Sequence, residues 1–192
     1  MLTPRQKDAI IKQITLRDVR KMGLYHEIDP PETVYHMTPL NRLQKILADG
    51  KIKAVDEQGH KSDYMTYFFT SLEYIPAYIE ITGADRGRQY HDFDGQIHTA
   101  PPLDHTNTVI LKLKPRGRQV MEWYIERTET DTTIHAADAI EITKLFDSIR
   151  VCHFGDMAFF DNPEVIPLTE VDKLPPSKAL VRYREIKANC DK

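Results

Sequence analysis

The sequence predicts an α+β protein, and three observations carry that expectation. Helix signals recur through the first half of the chain. The second half is a series of short β-branched and aromatic runs punctuated by Pro, Gly, Asn and Asp, and the two kinds of segment do not alternate as βαβ units would. Helices are therefore expected mostly in the first half. At 192 residues the chain suits one hydrophobic core. Residues 1–30 read as an N-terminal amphipathic helix and linker, and 31–192 as a single domain. A formal charge of −3 argues against a protein that coats nucleic acid through bulk positive charge, and leaves room for a local basic patch. Met1 is followed by neither a cationic stretch nor an apolar run, so no signal peptide is expected. No segment approaches the ~20 apolar residues that span a bilayer. No membrane partner and a cytoplasmic location are the expectation. Cys152 and Cys190 lie far apart with no ligand spacing around them, which reads as reduced thiols.

Taken in order, Thr3, Pro4 and Gln6 signal a helix start, and Ile10, Ile11, Ile14 and Leu16 give residues 3–21 an apolar face. Residues 1–26 hold six basic side chains against two acidic ones, a solvated face or a contact for phosphate. Pro30 and Pro31 break the chain before a strand from Thr33 to Met37. A helix then follows, with Thr38 as N-cap, Pro39 at the first helical position, and Leu40, Leu43, Ile46 and Leu47 as one stripe. Gly50 suits the left-handed residue that ends it. Residues 51–55 alternate as a short strand, and 56–63 read as a polar loop. Met65 to Ser71 is rich in aromatic and β-branched residues and reads as a strand. A helix over 72–81 follows, with Ser71 as N-cap, Pro76 kinking or delaying it, and Gly83 ending it.

Residues 83–107 carry Gly, Pro, Arg and His and read as a functional or mobile loop. His91, His98 and His105 recur in it every seven residues, without a carboxylate at fixed spacing; loop histidines are favoured over a metal site. Thr108–Lys114 and Gln119–Ile125 flank a Pro-Arg-Gly turn and read as a hairpin. Residues 136–146 fit helix or strand. Ile149–Phe154, Met157–Phe160, Glu164–Leu168 and Ala179–Tyr183 read as strands, the last closing the sheet. There are no internal repeats, no GxGxxG and no phosphate-binding P-loop, which removes the Rossmann and kinase readings.

Tyr35-His36-Met37-Thr38 at a strand-to-helix corner can hold a ligand or be an ordinary well-capped turn. Read with the helix that ends in Ala48-Asp49-Gly50, it resembles the first motif of the ADP-ribosyltransferase superfamily. Tyr67-Phe68-Phe69-Thr70-Ser71, followed by a tyrosine-bearing helix, is similar to that superfamily's second motif. The spacing is most similar to the DarT-type branch, whose members modify bases in single-stranded DNA, and more loosely to the poly(ADP-ribose) polymerase branch. The arginine-rich element that follows the first motif in DarT-type enzymes is not evident in this sequence.

The resemblance implies a split central β-sheet and NAD as co-substrate. It implies that His36 and Thr38, with Tyr35, hold the ribose and adenosine side of NAD. Tyr67 or Tyr78 would stack on nicotinamide, and Ser71 would bond the nicotinamide amide. A late-strand glutamate would steady the oxocarbenium-like ribose, as carboxylates do in glycosidases. Glu164 is favoured for that role over Glu141; Glu122 and Glu126 fit less well. The implied activity is mono-ADP-ribosyl transfer from NAD to a macromolecule, nucleic acid or protein, in a toxin, defence or counter-defence setting. An RNA 2′-phosphotransferase relative and a non-catalytic binding or inhibitory protein on the same fold are the alternatives.

Overall fold

A computed structural model describes residues 25–54, 65–91, 97–116, 123–126, 141–142, 144–145 and 148–190. The expected helix over 3–21 and the polar loop over 56–63 lie outside them. The central element is β2 (Val34–Pro39), which pairs along its whole length with β7 (Thr108–Leu113), from Val34 opposite Leu113 to Pro39 opposite Thr108. Outside β7 lies β11 (Glu164–Pro167). On the other side of β2 come β4 (Met65–Phe69), β9 (Arg150–Phe154), β8 (Trp123–Glu126) and β1 (Tyr25–Glu27). The seven strands follow the order β1-β8-β9-β4-β2-β7-β11, and every neighbouring pair is antiparallel. Mixed helix and antiparallel sheet make the protein α+β.

The join between the two halves of the sheet is narrow. β2 and β4 share one register pair, Tyr35 opposite Phe69, whereas β4 and β9 share five. Beyond that pair the two strands separate.

Helices cover both faces. Because side chains alternate along a strand, Val34, His36 and Thr38 point one way and Tyr35 and Met37 the other. On the first face Val34, Phe68, Leu111, Leu113 and Trp123 form a buried cluster, against which Leu43 and Ile46 of α1 (Leu40–Asp49) pack. On the second, Phe69, Ile110 and Leu168 pack with Ile75 and Ile79 of α2 (Tyr74–Thr82). The remaining elements are the short strands β3 (Lys51–Ile52) and β10 (Met157–Ala158), the hairpin of β5 (Arg88–His91) and β6 (Ile97–Ala100), and the helices α3 (Leu168–Val171) and α4 (Lys178–Cys190).

Several expectations are corrected. Thr38 is not an N-cap: it stays in β2, 3% exposed and opposite Val109. Pro39 occupies the cap position without a side-chain bond, and the amide of Leu40 instead donates to the Asn107 carbonyl at 2.7 Å. That carbonyl is set by an Asx-type turn, in which Asp104 Oδ1 accepts from the amides of Thr106 and Asn107 at 3.0 and 3.2 Å. Leu40 is therefore exposed, and the stripe of α1 reduces to Leu43, Ile46 and Leu47. Ser71 is likewise not a side-chain cap; its carbonyl accepts from the Tyr74 amide at 3.3 Å in a turn that delays α2, so Pro76 falls in the first helical turn, where its missing N–H is tolerated. Gly50 and Gly83 end their helices in the left-handed region, as expected.

The expected hairpin of β7 and β8 does not form, because β8 joins the far half of the sheet between β1 and β9. Strand β3 stops at Ile52. Residues 83–107 are not a plain loop: they contain a 3₁₀ turn (Ala84–Arg86) and the β5–β6 hairpin. Ala179–Tyr183 is not a strand but the first half of α4. Ser177 Oγ accepts from the Leu180 amide at 3.2 Å, and Ala179, Leu180, Tyr183 and Ile186 bury one helical face. With α3 and α4 near the C-terminus, the described helices are not concentrated in the first half.

Two features near the hairpin lend themselves to measurement. Gly87 has φ 72° and ψ 158°, a region open essentially to glycine, and an added Cβ would lie 2.8 Å from the Ala100 carbonyl oxygen. Gly87→Ala is expected to destabilise by about 2–3 kcal/mol, a fall of roughly 4–10 °C in Tm by calorimetry. An unchanged Tm would show that the hairpin base is not rigid.

His105 ties this region to α3. Its Nε2 lies 2.7 Å from Asp85 Oδ1 and its Nδ1 2.7 Å from Asp172 Oδ2. Ionised carboxylates only accept, so both contacts are made together only by the imidazolium. The bond to Asp85 raises the pKa above 6.5, burial opposes it, and Asp172 adds to it. A raised pKa contributes stability that is fully present below the unfolded value and is lost as pH rises through the folded one. Between about pH 6 and about pH 9, Tm should therefore fall further for the wild type than for His105→Gln. Parallel Tm profiles for the two proteins would contradict this.

Candidate functional site

Where β2 and β4 separate, a cleft of about 530 Å³ opens between the sheet, α1, α2 and β3, within the ~300–1,000 Å³ range of small-molecule and cofactor sites. His36 marks the point of separation. Its Nδ1 lies 3.2 Å from the carbonyl oxygen of Tyr67 on β4. A carbonyl only accepts, so Nδ1 carries the proton and Nε2 keeps a lone pair for a ligand hydroxyl. Burial lowers the pKa of His36 most; the bond to the Tyr67 carbonyl opposes this, and the positive charge of Arg42 lowers it further. The ring is thus neutral at neutral pH, suited to hydrogen bonding. It is also held from below: Phe68 lies 5.5 Å away centroid to centroid, and the fully buried Trp123 packs 5.7 Å beyond Phe68.

Of the residues nominated from sequence, His36, Thr38, Tyr67 and Tyr78 line this one cleft. The others do not. Tyr35 points to the opposite face of the sheet and packs with the α2 cluster. Ser71 sits in the turn after β4. Glu164 is opposite Lys112, which is opposite Tyr35, so all three share the face turned away from His36. It is exposed on the edge strand, and Lys112 Nζ donates to it at 2.9 Å. Glu141 is helical, not extended, and accepts from Arg182 Nε at 2.6 Å, which holds its carboxyl below the usual range. The fold brings neither glutamate to the histidine.

The rest of the lining escaped the sequence reading. Arg42 and Lys45 project from α1, Lys51 and Lys53 follow it, and Arg150 opens β9. Against these five cations the described lining holds one carboxylate, Asp49, ion-paired with Lys53 at 2.6 Å. Lys51 pairs outside the cleft with Asp156 at 2.7 Å, and Asp156 also accepts from the Ala54 amide at 3.0 Å, which fixes the strand end. Arg150 lies with its guanidinium carbon 4.0 Å from the Tyr67 ring centroid and 5.8 Å from that of Tyr78. The signal was present in part: Arg42 and Lys45 are spaced i,i+3 on one helix side, and Lys51 and Lys53 are two residues apart. Nothing local placed them beside a strand a hundred residues downstream. Among the described residues no group of His, Cys, Asp and Glu is arranged to hold a metal ion, and no helix is long and apolar enough to cross a membrane.

No protein-family model matches the chain, and no curated protein matches it. Among solved structures it is similar to Thermus sp. 2.9 DarT in complex with carba-NAD+, at 14% identity over 81% of this chain and 91% of that one, with a TM-score of 0.36. A score that low carries no argument about the site, which rests on its own geometry.

The electrostatics of His36 can be read directly. In an NMR titration its ring protons should report a pKa below 6.5. Arg42→Gln should move the value upward yet leave it below 6.5, because burial is the larger cause. A wild-type value at or above 6.5 would mean that the ring is open to water.

Proposed function

We propose that the cleft binds NAD and that the protein is an NAD-dependent mono-ADP-ribosyltransferase acting on a macromolecular acceptor, nucleic acid or protein. The observation that carries this reading is the convergence of His36, Thr38, Tyr67 and Tyr78, drawn from both ADP-ribosyltransferase-like motifs, on one cleft at the parting of β2 and β4. A parting of that kind fits the split central sheet that the resemblance implies. The donor set suits the molecule: neutral His36 offers an acceptor for a sugar hydroxyl, Thr38 a hydroxyl, and the cations a cradle for a pyrophosphate.

NAD supplies an activated N-glycosidic bond whose electron pair leaves with nicotinamide. His36 and Thr38 orient the ribose, and the packed aromatic floor excludes water from one side of it. The acceptor's nucleophile forms the new bond to the ribose carbon and gives up its proton. Developing positive charge on that carbon calls for a nearby carboxylate. In this reading the role is not assigned to Glu164 or Glu141, whose side chains lie away from the cleft; Asp49 is the carboxylate of the described wall. A role as toxin, defence or counter-defence factor remains part of the proposal.

The test is incubation with labelled NAD and single-stranded DNA, RNA and protein acceptors, following nicotinamide release and label transfer. Loss of the hydrogen bond that His36 Nε2 accepts, in His36→Ala, should lower release about tenfold, equivalent to ~1.4 kcal/mol. Glu164→Gln and Glu141→Gln should stay within about twofold of wild type, since neither group reaches the cleft. Binding of NAD without any nicotinamide release would favour a non-catalytic protein.

The basic lining favours a second reading, a 2′-phosphotransferase acting on RNA, because that chemistry must grip an additional phosphate. Removal of phosphate from 2′-phosphorylated RNA in an NAD-dependent reaction, with no ADP-ribose left on the other acceptors, would select it.

A further inference from the structure

One face of Tyr67, a ring that the motif resemblance offers to the pyridinium along with Tyr78, is already covered. Arg150 stands opposite Phe69 in the β4–β9 ladder, which puts its side chain on the same face as Tyr67. Its guanidinium lies 4.0 Å over the Tyr67 ring and within 5.8 Å of Tyr78. A pyridinium is itself a cation. Placed on Tyr67, it would displace the guanidinium or lie against it as a like charge in a partly desolvated site, and either is unfavourable. Stacking engages the flat faces of a guanidinium, whereas phosphate is recognised through its N–H edge. Arg42, Lys45, Lys51 and Lys53 line the same cleft, whose described acid, Asp49, is taken by Lys53. Even with Lys51 paired to Asp156, the described lining carries more positive than negative charge, which favours an anion.

We propose that Arg150 is the phosphate anchor of the cleft. Tyr67 and Tyr78 flank its guanidinium, and the phosphate or pyrophosphate of the ligand, not a cationic ring, occupies this end. The inference rests on the cleft being a nucleotide site and specifies which part of the nucleotide it grips. Affinity then resides in the ADP-ribose moiety. Arg150 sets specificity for phosphorylated over unphosphorylated nucleosides.

Four probes test this by calorimetric titration: NAD, ADP-ribose, nicotinamide riboside and inorganic pyrophosphate. The wild type should bind ADP-ribose at least as tightly as NAD, and nicotinamide riboside about tenfold more weakly or worse. Arg150→Gln should weaken ADP-ribose and pyrophosphate about tenfold or more, and leave nicotinamide riboside unchanged. Arg150→Lys keeps the charge without the planar fork and should lose several-fold; it carries the comparison if the Gln variant shows no cooperative melting. A folded variant that binds ADP-ribose within twofold of wild type overturns the anchor. If NAD binds the wild type but Arg150→Gln is indifferent, the anchor falls and the NAD reading stands. If pyrophosphate binds through Arg150 and NAD does not bind, the anchor stands and the transferase reading falls. Binding of none of the four removes both.

Discussion

The structure depends on how β2 and β4 part. Antiparallel strands satisfy their backbone groups by pairing, and a pair joined at one register position leaves its remaining groups to find other partners. The His36 side chain bridges this gap, its Nδ1 reaching the Tyr67 carbonyl from the neighbouring strand. The bridge is possible because β2 is held elsewhere: β7 pairs with it over six positions, so its second edge can diverge without the strand being lost. Phe68 and Trp123 fill the space beneath the imidazole, both wholly buried. A gap in a sheet is thereby converted into a cleft with a packed aromatic floor.

Charge is arranged against the average. The chain carries a formal −3, yet among the described residues five cations and one carboxylate line the cleft. Screening at physiological salt acts over about 8 Å, so a ligand in the cleft responds to this local set far more than to the net charge. α1 makes the concentration possible. Its Leu43 and Ile46 are pinned to the sheet, which turns Arg42 and Lys45 toward the opening, and Gly50 reverses the chain so that Lys51 and Lys53 follow along the same rim. Among the described residues, the acids beside these cations are engaged, Asp49 with Lys53 and Asp156 with Lys51.

The glutamates show how strand register and helix pairing place a carboxylate. Glu164 opens a late strand after a turn, as a motif-based reading asks, but its place opposite Lys112 fixes it to the face that also carries Tyr35. A shift of one residue in that register would have brought it to the face of His36. Glu141 misses for a different reason: its segment is helical and is drawn to α4 through Arg182. Each carboxylate already has a cationic partner, and neither is held as an isolated charge awaiting a ligand.

The α+β class, β2, β4, β7, β9 and β11, and the ends of α1 and α2 at Gly50 and Gly83 were all legible in the sequence. These depend on short-range physics: alternation, β-branching, and glycine's access to the left-handed region. The convergence of His36, Thr38, Tyr67 and Tyr78 followed from motifs that sit on such elements. Other features required the tertiary structure. Thr38 left its capping role because β7 holds it in the ladder, and Ala179–Tyr183 became helix because Ser177 caps it and a buried face was available for Leu180 and Tyr183. β8 abandoned its sequence neighbour because its pairing partners lie across the sheet. Sequence alone determined which residues begin and end strands and helices, and placed a histidine at their corner. Register and strand order, which no local pattern encodes, decided that the corner faces arginine and lysine and turns its back on Glu164.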